Sequence, residues 1–182
     1  CGCSRNEKNP GNTTVQQQSD AQTDRSQDGQ KETFKIGVCI PLSGVDSAHG
    51  TEARKALELA EVQINEAGGF NGIPIELVIY DDQNSAEEAV KVTTRLIEVE
   101  NVDAYIGSVN SSEVLAVADY LTEHKIYSFG MGTSATWMRP EYKYLFRAVR
   151  SETKTVPLTV DIAEKLGFKK IAVFHGQDDA SI

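Results

Sequence analysis

Apolar and polar positions along this chain alternate between two periods. Phe34-Lys35-Ile36-Gly37-Val38-Cys39-Ile40 is an apolar run of strand length. Pro41-Leu42-Ser43-Gly44 breaks it with turn chemistry. From about Thr51 the period changes. Ala53, Ala56, Leu57, Ala60, Ile64 and Ala67 recur at three- and four-residue spacing with charged residues between them, and Leu59 and Val62 lie off the stripe. This predicts an amphipathic helix with one face on a core, stopped by Gly68-Gly69. Ile75 to Tyr80 predicts a second strand ending in Asp81-Asp82. Such a unit joins two parallel strands, and an open parallel sheet binds ligands at the carboxyl ends of its strands.

The alternation continues. Ser85-Ala86-Glu87-Glu88 is a capping box that opens a helix to about Glu100, with Ala86, Ala89/Val90, Thr93 and Leu96/Ile97 inward. Asp103 to Ile106 reads as a short strand. Ser111-Ser112-Glu113 starts a third helix with Val114, Leu115, Ala118 and Leu121 as its stripe. Ile126 to Phe129 is a strand, and Gly130 to Pro140 a loop with room for one helical turn near Trp137. Tyr144 to Arg147 is another short strand. Glu152 to Leu166 is a helix that admits Pro157 only in or near its first turn. Lys170 to Phe174 is expected to be a last strand. Strand and helix alternate throughout, so the expected fold class is α/β, a doubly wound parallel sheet.

Composition changes the picture at the N-terminus. The segment up to about Thr33 is polar, with Val15 its one strongly apolar residue, and holds five acids and four bases. It cannot bury enough surface to offset its ordering entropy. It reads as a disordered tether, residues 1–33, with an average reach of roughly 30 Å. A chain that starts at Cys1 with such a lead resembles a processed bacterial lipoprotein carrying diacylglycerol on Cys1; a boundary that falls on Cys by chance is the plainer alternative. No apolar run is long enough to span a bilayer. The formal net charge of the chain is −9, and no Lys/Arg cluster forms a stripe, which argues against nucleic acid as a partner. The three cysteines cannot make a disulfide framework. Cys39 reads as a small buried hydrophobe.

Two strand-end loops carry candidate binding chemistry. In Gly107-Ser108-Val109-Asn110-Ser111-Ser112, the glycine allows a sharp exit, and the serines fall where a helix begins, beside free backbone N–H groups and the positive end of the helix dipole. That suits a carboxylate, although a serine there also serves as a plain N-cap. Gly130-Met131-Gly132-Thr133-Ser134-Ala135 places small residues and hydroxyls after the next strand. Two such loops on neighbouring strands would converge on one ligand. Gly130, Gly132 and Ala135 also fit a loose dinucleotide fingerprint, but Pro140 follows too soon for the long helix that the fingerprint needs.

Catalytic chemistry is not evident. There is no G-x-S-x-G elbow. His49, His124 and His175 are scattered, and His124 falls near a helix C-terminus, its favoured surface place. Asp81-Asp82 is accounted for by turn capping, and no Cys/His spacing suggests zinc. The chain is therefore expected to be no enzyme and to use no metal or cofactor.

Taken together, Ile40-Pro41-Leu42-Ser43-Gly44 with Gly50 downstream, Asn65-Glu66-Ala67-Gly68-Gly69, Asp81-Asp82, Ile106-Gly107 with Ser111-Ser112, and Gly132-Thr133-Ser134 resemble the type I periplasmic binding proteins, in their Leu/Ile/Val-binding branch. The resemblance covers Phe34 to about Phe174. It implies two α/β lobes that close on a ligand by a hinge, with 34–150 an incomplete lobe 1 and 151–182 only the beginning of a truncated lobe 2. It puts the ligand carboxylate on Ser111, with Ser112 beside it, and the α-ammonium and carboxylate on the backbone carbonyl of Gly132 and on Ser134. A position where many relatives carry an aromatic beside the ligand falls on His49, for which a helix-entry surface role is an equal reading. Trp137 is expected to pack rather than to line the cleft. The disulfide that some relatives carry would join positions 84 and 110, both asparagine here. The resemblance further implies an extracytoplasmic, membrane-anchored receptor that delivers a branched-chain or other small amino acid to ABC permease subunits. A sensory or regulatory domain for an amide or other small organic solute is the alternative.

Overall fold

The computed structural model describes residues 32–173. Cys1, Cys3, nearly all of the expected tether, and Phe174 lie outside them. Five parallel strands form one sheet in the order β2-β1-β3-β4-β5. They are β1 Phe34–Ile40, β2 Ile75–Asp81, β3 Ala104–Gly107, β4 Tyr127–Gly130 and β5 Leu145–Arg147. Between and after them run α1 Ser47–Glu66, α2 Ala86–Glu98, α3 Ser111–Glu123 and α4 Glu152–Lys165. The expected doubly wound α/β class is what forms.

The alternation within strands sorts the two faces. Cys39 of β1 and Tyr105 of β3 meet Ala89 and Leu96 of α2 and Val117 and Leu121 of α3 in one core. Val114 and Ala118 of α3 continue it with Trp137, Tyr142 and Leu145. On the opposite face α1 leans on the β2 edge, and its fit is looser than the stripe predicts. Ala53, Leu57 and Ala60 are half-buried, whereas Ile64, Leu59 and Val62 are exposed. Polar side chains supply the missing grip. Asn65 donates to the Ile75 carbonyl (2.9 Å) and accepts from its N–H (2.8 Å), and Glu61 accepts from the Leu77 N–H at 2.9 Å. These bonds satisfy backbone groups of the edge strand that would otherwise be open to pairing. The same face is bare over β4 and β5, where Tyr127, Phe129 and Phe146 are exposed and their rings stack on one another.

Helix ends follow the signals in most places. Gly68, at φ +103°, ends α1 in a Schellman turn: its N–H reaches Asn65 O, and the Gly69 N–H reaches Ile64 O at 2.8 Å. Ser85 caps α2 by accepting from the Glu88 N–H. Helix α1 begins one turn earlier than its stripe, at Ser47, because its first turn, Ser47 to Gly50, carries no large apolar residue. Pro157 stands sixth in α4, in its second turn, where the helix is exposed and the freed carbonyl of Thr153 can turn to water.

The expected strand over Lys170 to Phe174 is the clear correction: residues 170–173 take no strand conformation. A strand needs a neighbour for its backbone groups, and among the described residues none pairs with this segment. Its apolar side chains instead line, with α4, a groove of about 440 Å³ that includes Val156, Val160, Ile162, Phe168, Ile171 and Val173. No residue of α4 is buried.

Candidate functional site

The strand order reverses at β1. The chain runs outward from β1 to β2 and then returns to β3 on the other side of β1. The loops leaving β1 and β3 therefore part at a topological switch point, where the carboxyl edge of such a sheet opens a crevice. Close backbone approach fixes both loops. A Cβ on Gly50 would strike the Pro41 carbonyl, and one on Gly107, at φ +145°, would strike that of Cys39. Only glycine permits either contact.

Three of the expected binding residues meet here. Ser111, the first residue of α3, is 2% exposed, and its Oγ accepts from the Ser134 N–H at 3.1 Å. Its hydroxyl proton stays free for an acceptor. Gly132 packs against the same serine. A Cβ there would lie 2.7 Å from Ser111 Oγ, 2.8 Å from its Cα and 2.9 Å from Trp137 Nε1. Ser134 is 1% exposed, and its hydroxyl pairs with Thr136 Oγ1 at 3.0 Å. The Met131 N–H reaches the Ser108 carbonyl at 3.0 Å and joins the two loops.

Ser112 turns away from this group. It is half-buried, and its hydroxyl donates to Glu113 Oε2 at 2.8 Å. Neither serine is the N-cap. Asn110 takes that position, with no side-chain cap bond. His49 lies on the first turn of α1, exposed, with Nδ1 bound to Asp46. His124 caps α3, its Nδ1 bonded to the Tyr120 carbonyl.

Sequence reasoning missed the scaffold behind these residues. Arg147 donates both guanidinium arms to the carbonyls of Thr133 and Ser134 and lies 4.5 Å over the Trp137 ring. Burial lowers its pKa. Trp137 is fully buried and packs as expected, but its Nε1 is buried without a partner. The acid pair does more than cap a turn. Burial opposes ionisation of Asp81, but the Ser43 hydroxyl and the N–H groups of Gln83, Leu42 and Ser43 outweigh it and hold the carboxyl below its usual range. Asp82 is wholly buried and accepts from the Ser108 hydroxyl and the Asn84 N–H. Burial raises its pKa, and the charges of Glu113 and Asp81 push the same way. Burial also pushes the Cys39 thiol up to about 12, which makes it an inert core group. The signal for Asp82 was its place at a strand end beside a β3 loop, which only the register reveals.

The missing disulfide has a polar counterpart. Asn110 Nδ2 donates to Asn84 Oδ1 and also, at 3.1 Å, to Asp46 Oδ2. Three loops, after β1, β2 and β3, are thereby tied together. Among the described residues no group of three or more His, Cys, Asp or Glu is arranged to hold a metal.

Residues 33–181 match the family described as periplasmic binding protein. The chain belongs to the periplasmic binding protein family. A leucine-, isoleucine-, valine-, threonine- and alanine-binding protein of Pseudomonas aeruginosa is 31% identical over 146 residues, 79% of this chain and 39% of that protein. A branched-chain amino acid transporter substrate-binding protein of Streptococcus pneumoniae, solved with isoleucine, is 32% identical with a TM-score of 0.63, over 65% of this chain and 34% of that one. A solute-binding protein of an ABC transporter from Rhodopseudomonas palustris, solved with 3,4-dihydroxybenzoic acid, shares the fold at 23% identity and a TM-score of 0.75, covering 83% of this chain and 41% of that one. The periplasmic binding protein segment seen here thus spans about two fifths of the length of the relatives it matches.

Proposed function

We propose that this chain supplies the first ligand-binding lobe of an extracytoplasmic receptor for an ABC importer, and that the receptor binds a branched-chain or other small amino acid. The observation that carries the proposal is the junction of Ser111 and Ser134 at the start of α3, beside the switch point. There a free hydroxyl proton, helix N–H groups and the helix dipole favour a carboxylate. Ser111, Gly132, Ser134 and His49 form the lobe 1 side of the cleft in this reading, while Ser112 is turned toward Glu113. A second lobe, begun by residues 151–182, closes over them. The receptor has no chemistry of its own. It hands its ligand to permease subunits and is held at the membrane by lipid on Cys1, with residues 1–33 as the tether. Names of relatives at 31–32% identity support the amino-acid class.

The test is a thermal-shift panel of the amino acids on the two-lobed receptor, with Ser111→Ala and Ser134→Ala beside it. The expected result is one amino acid, or a small group, that raises the melting temperature, with the shift lost in both variants. A folded receptor that responds to no amino acid would move the ligand to another class. Loss of labelling by a palmitate analogue in Cys1→Ser tests the anchor.

A further inference from the structure

The peptide group between Thr133 and Ser134 is held at both ends. Its N–H donates to Ser111 Oγ at 3.1 Å. Its carbonyl accepts twice, from one guanidinium arm of Arg147 and from the Glu152 N–H at 3.2 Å. The other arm of Arg147 takes the Ser134 carbonyl, so the guanidinium brackets the residue whose N–H meets Ser111. This peptide is trans, and a trans peptide is planar, with its N–H and C=O pointing to opposite sides. Fixing the carbonyl therefore aims the N–H. Donors on the carbonyl also polarise the group and strengthen its N–H as a donor in turn. Ser111 Oγ accepts that N–H and keeps its own hydrogen for an acceptor.

The two donors on the carbonyl side come from the far end of the chain. Arg147 ends β5, and Glu152 is the first residue of α4. Residues 148–150 between them are exposed, and no residue of α4 is buried. With no buried side chain to hold α4, the Glu152 N–H bond is a direct tie from its first turn to the loop after β4.

We propose that the Thr133–Ser134 peptide relays the position of α4 to the Ser111 hydroxyl, with Arg147 as the positioning residue that keeps the peptide turned. The inference rests on the ligand position proposed at Ser111. With Glu152 seated, the Ser134 N–H is aimed and polarised, and the Ser111 hydroxyl is the stronger donor to a carboxylate. When α4 swings away about residues 148–151, the Thr133 carbonyl loses a donor and the hydroxyl weakens. By linkage, a carboxylate bound at Ser111 favours the seated position of α4. The relay acts on a ligand acceptor, so it raises the preference for a carboxylate over a neutral carboxamide.

Glu152→Pro is the sharpest probe. It deletes the N–H at the first position of a helix, where proline is well accommodated. Ser151 before it already has φ −71° and ψ 140°, the region that proline demands of its predecessor. Glu152→Ala removes the same side chain and keeps the N–H. Amide hydrogen exchange of Ser134 in the 182-residue chain needs no ligand. It is expected to be about tenfold faster in Glu152→Pro than in Glu152→Ala, the worth of one hydrogen bond. Arg147→Met should quicken it further, with Arg147→Lys between because lysine offers a point donor rather than a fork. Equal exchange in the proline and alanine variants overturns the link to α4, and exchange unmoved by Arg147→Met overturns the role of Arg147. If Arg147→Met does not fold, the proline and alanine pair still decides the relay. In the two-lobed receptor, calorimetry compares leucine with leucinamide. The ratio of their affinities is expected to fall about tenfold from Glu152→Ala to Glu152→Pro. A melting temperature that falls while this ratio holds marks a merely structural bond and overturns the relay. Absence of leucine binding, or leucine affinity that survives Ser111→Ala, refutes the proposed ligand reading; the exchange comparison decides the relay in either case.

Discussion

Gly132→Ala tests the site's packing at its tightest point. The added methyl would sit 2.7 Å from Ser111 Oγ, 2.8 Å from Ser111 Cα and 2.9 Å from Trp137 Nε1. Ordinary carbon contacts begin about 0.6 Å or more beyond these distances. The hydroxyl could rotate, but the Cα belongs to the first turn of α3, and the indole is wholly buried among Val114, Ala118, Tyr142 and Leu145. Neither can yield without moving a core element. Overpacking of this kind costs about 1–3 kcal/mol, or a loss of roughly 2–12 °C in melting temperature for a domain of this size. Trp137 is the chain's one tryptophan, so its emission follows both the local shift and global unfolding in urea. A double-mutant cycle with Trp137→Phe, followed by circular dichroism because that variant has no tryptophan, isolates the contact. Removing Nε1 should recover part of the Gly132→Ala loss, with a coupling of at least about 0.5 kcal/mol. A Gly132→Ala protein within about 1 °C of the wild type, or strict additivity with Trp137→Phe, would refute the packing argument.

Asn110→Ala removes the bonds to Asn84 and Asp46 that join three loops; a loss of about 1–3 kcal/mol in urea melts is expected, and no loss would make the tie ornamental. Asp82 sets a pH dependence whose sign follows from its raised pKa. The native state holds that proton to a higher pH than the unfolded chain does, so stability from this group falls as pH rises from about 4, the unfolded value, and levels off above the native one. The difference in urea midpoint between the wild type and Asp82→Asn should therefore shift against the wild type over that window, and a flat or opposite trend would contradict the burial of an ionisable Asp82.

The fold was legible wherever one period ruled a segment. Helices α2 and α3 carry their core residues at the expected spacing, because each buries one face against the sheet, and β1 was legible as a continuous apolar run because its end, Gly37 to Ile40, is buried on both faces. α1 was readable as a helix but not as a partner. Its grip on β2 comes from Glu61 and Asn65, which a hydrophobic stripe does not score. The strand expected at 170–174 shows the opposite limit. Apolar pattern gives strand propensity, but a strand forms only beside another. The candidate loops after β3 and β4 stood out through small residues and hydroxyls, and the meeting of Ser111 with Ser134 followed from adjacent strands. The scaffold did not stand out. Arg147 lies 36 residues from Ser111, and its clamp on two carbonyls exists only once β4 and β5 are in register.

Burial divides the surface of this lobe in a way that bears on how it works. Apolar exposure gathers on α4 with the segment after it, and on the aromatic face of β4 and β5. The carboxyl edge at the switch point is the reverse. Ser108, Ser111, Ser134 and Asp82 are buried there and held by hydrogen bonds within the protein. Donors held in place need not be ordered at binding, and that removes part of the entropic cost of association. Under the proposed function, lobe closure then contributes exclusion of water and the contacts of the second lobe, rather than assembly of the first. Affinity should accordingly be sensitive to substitutions that loosen the three tied loops even where they touch no ligand. Asn110 is the sharpest instance, since it ties Asp46 and Asn84 together one residue before Ser111, the proposed carboxylate partner.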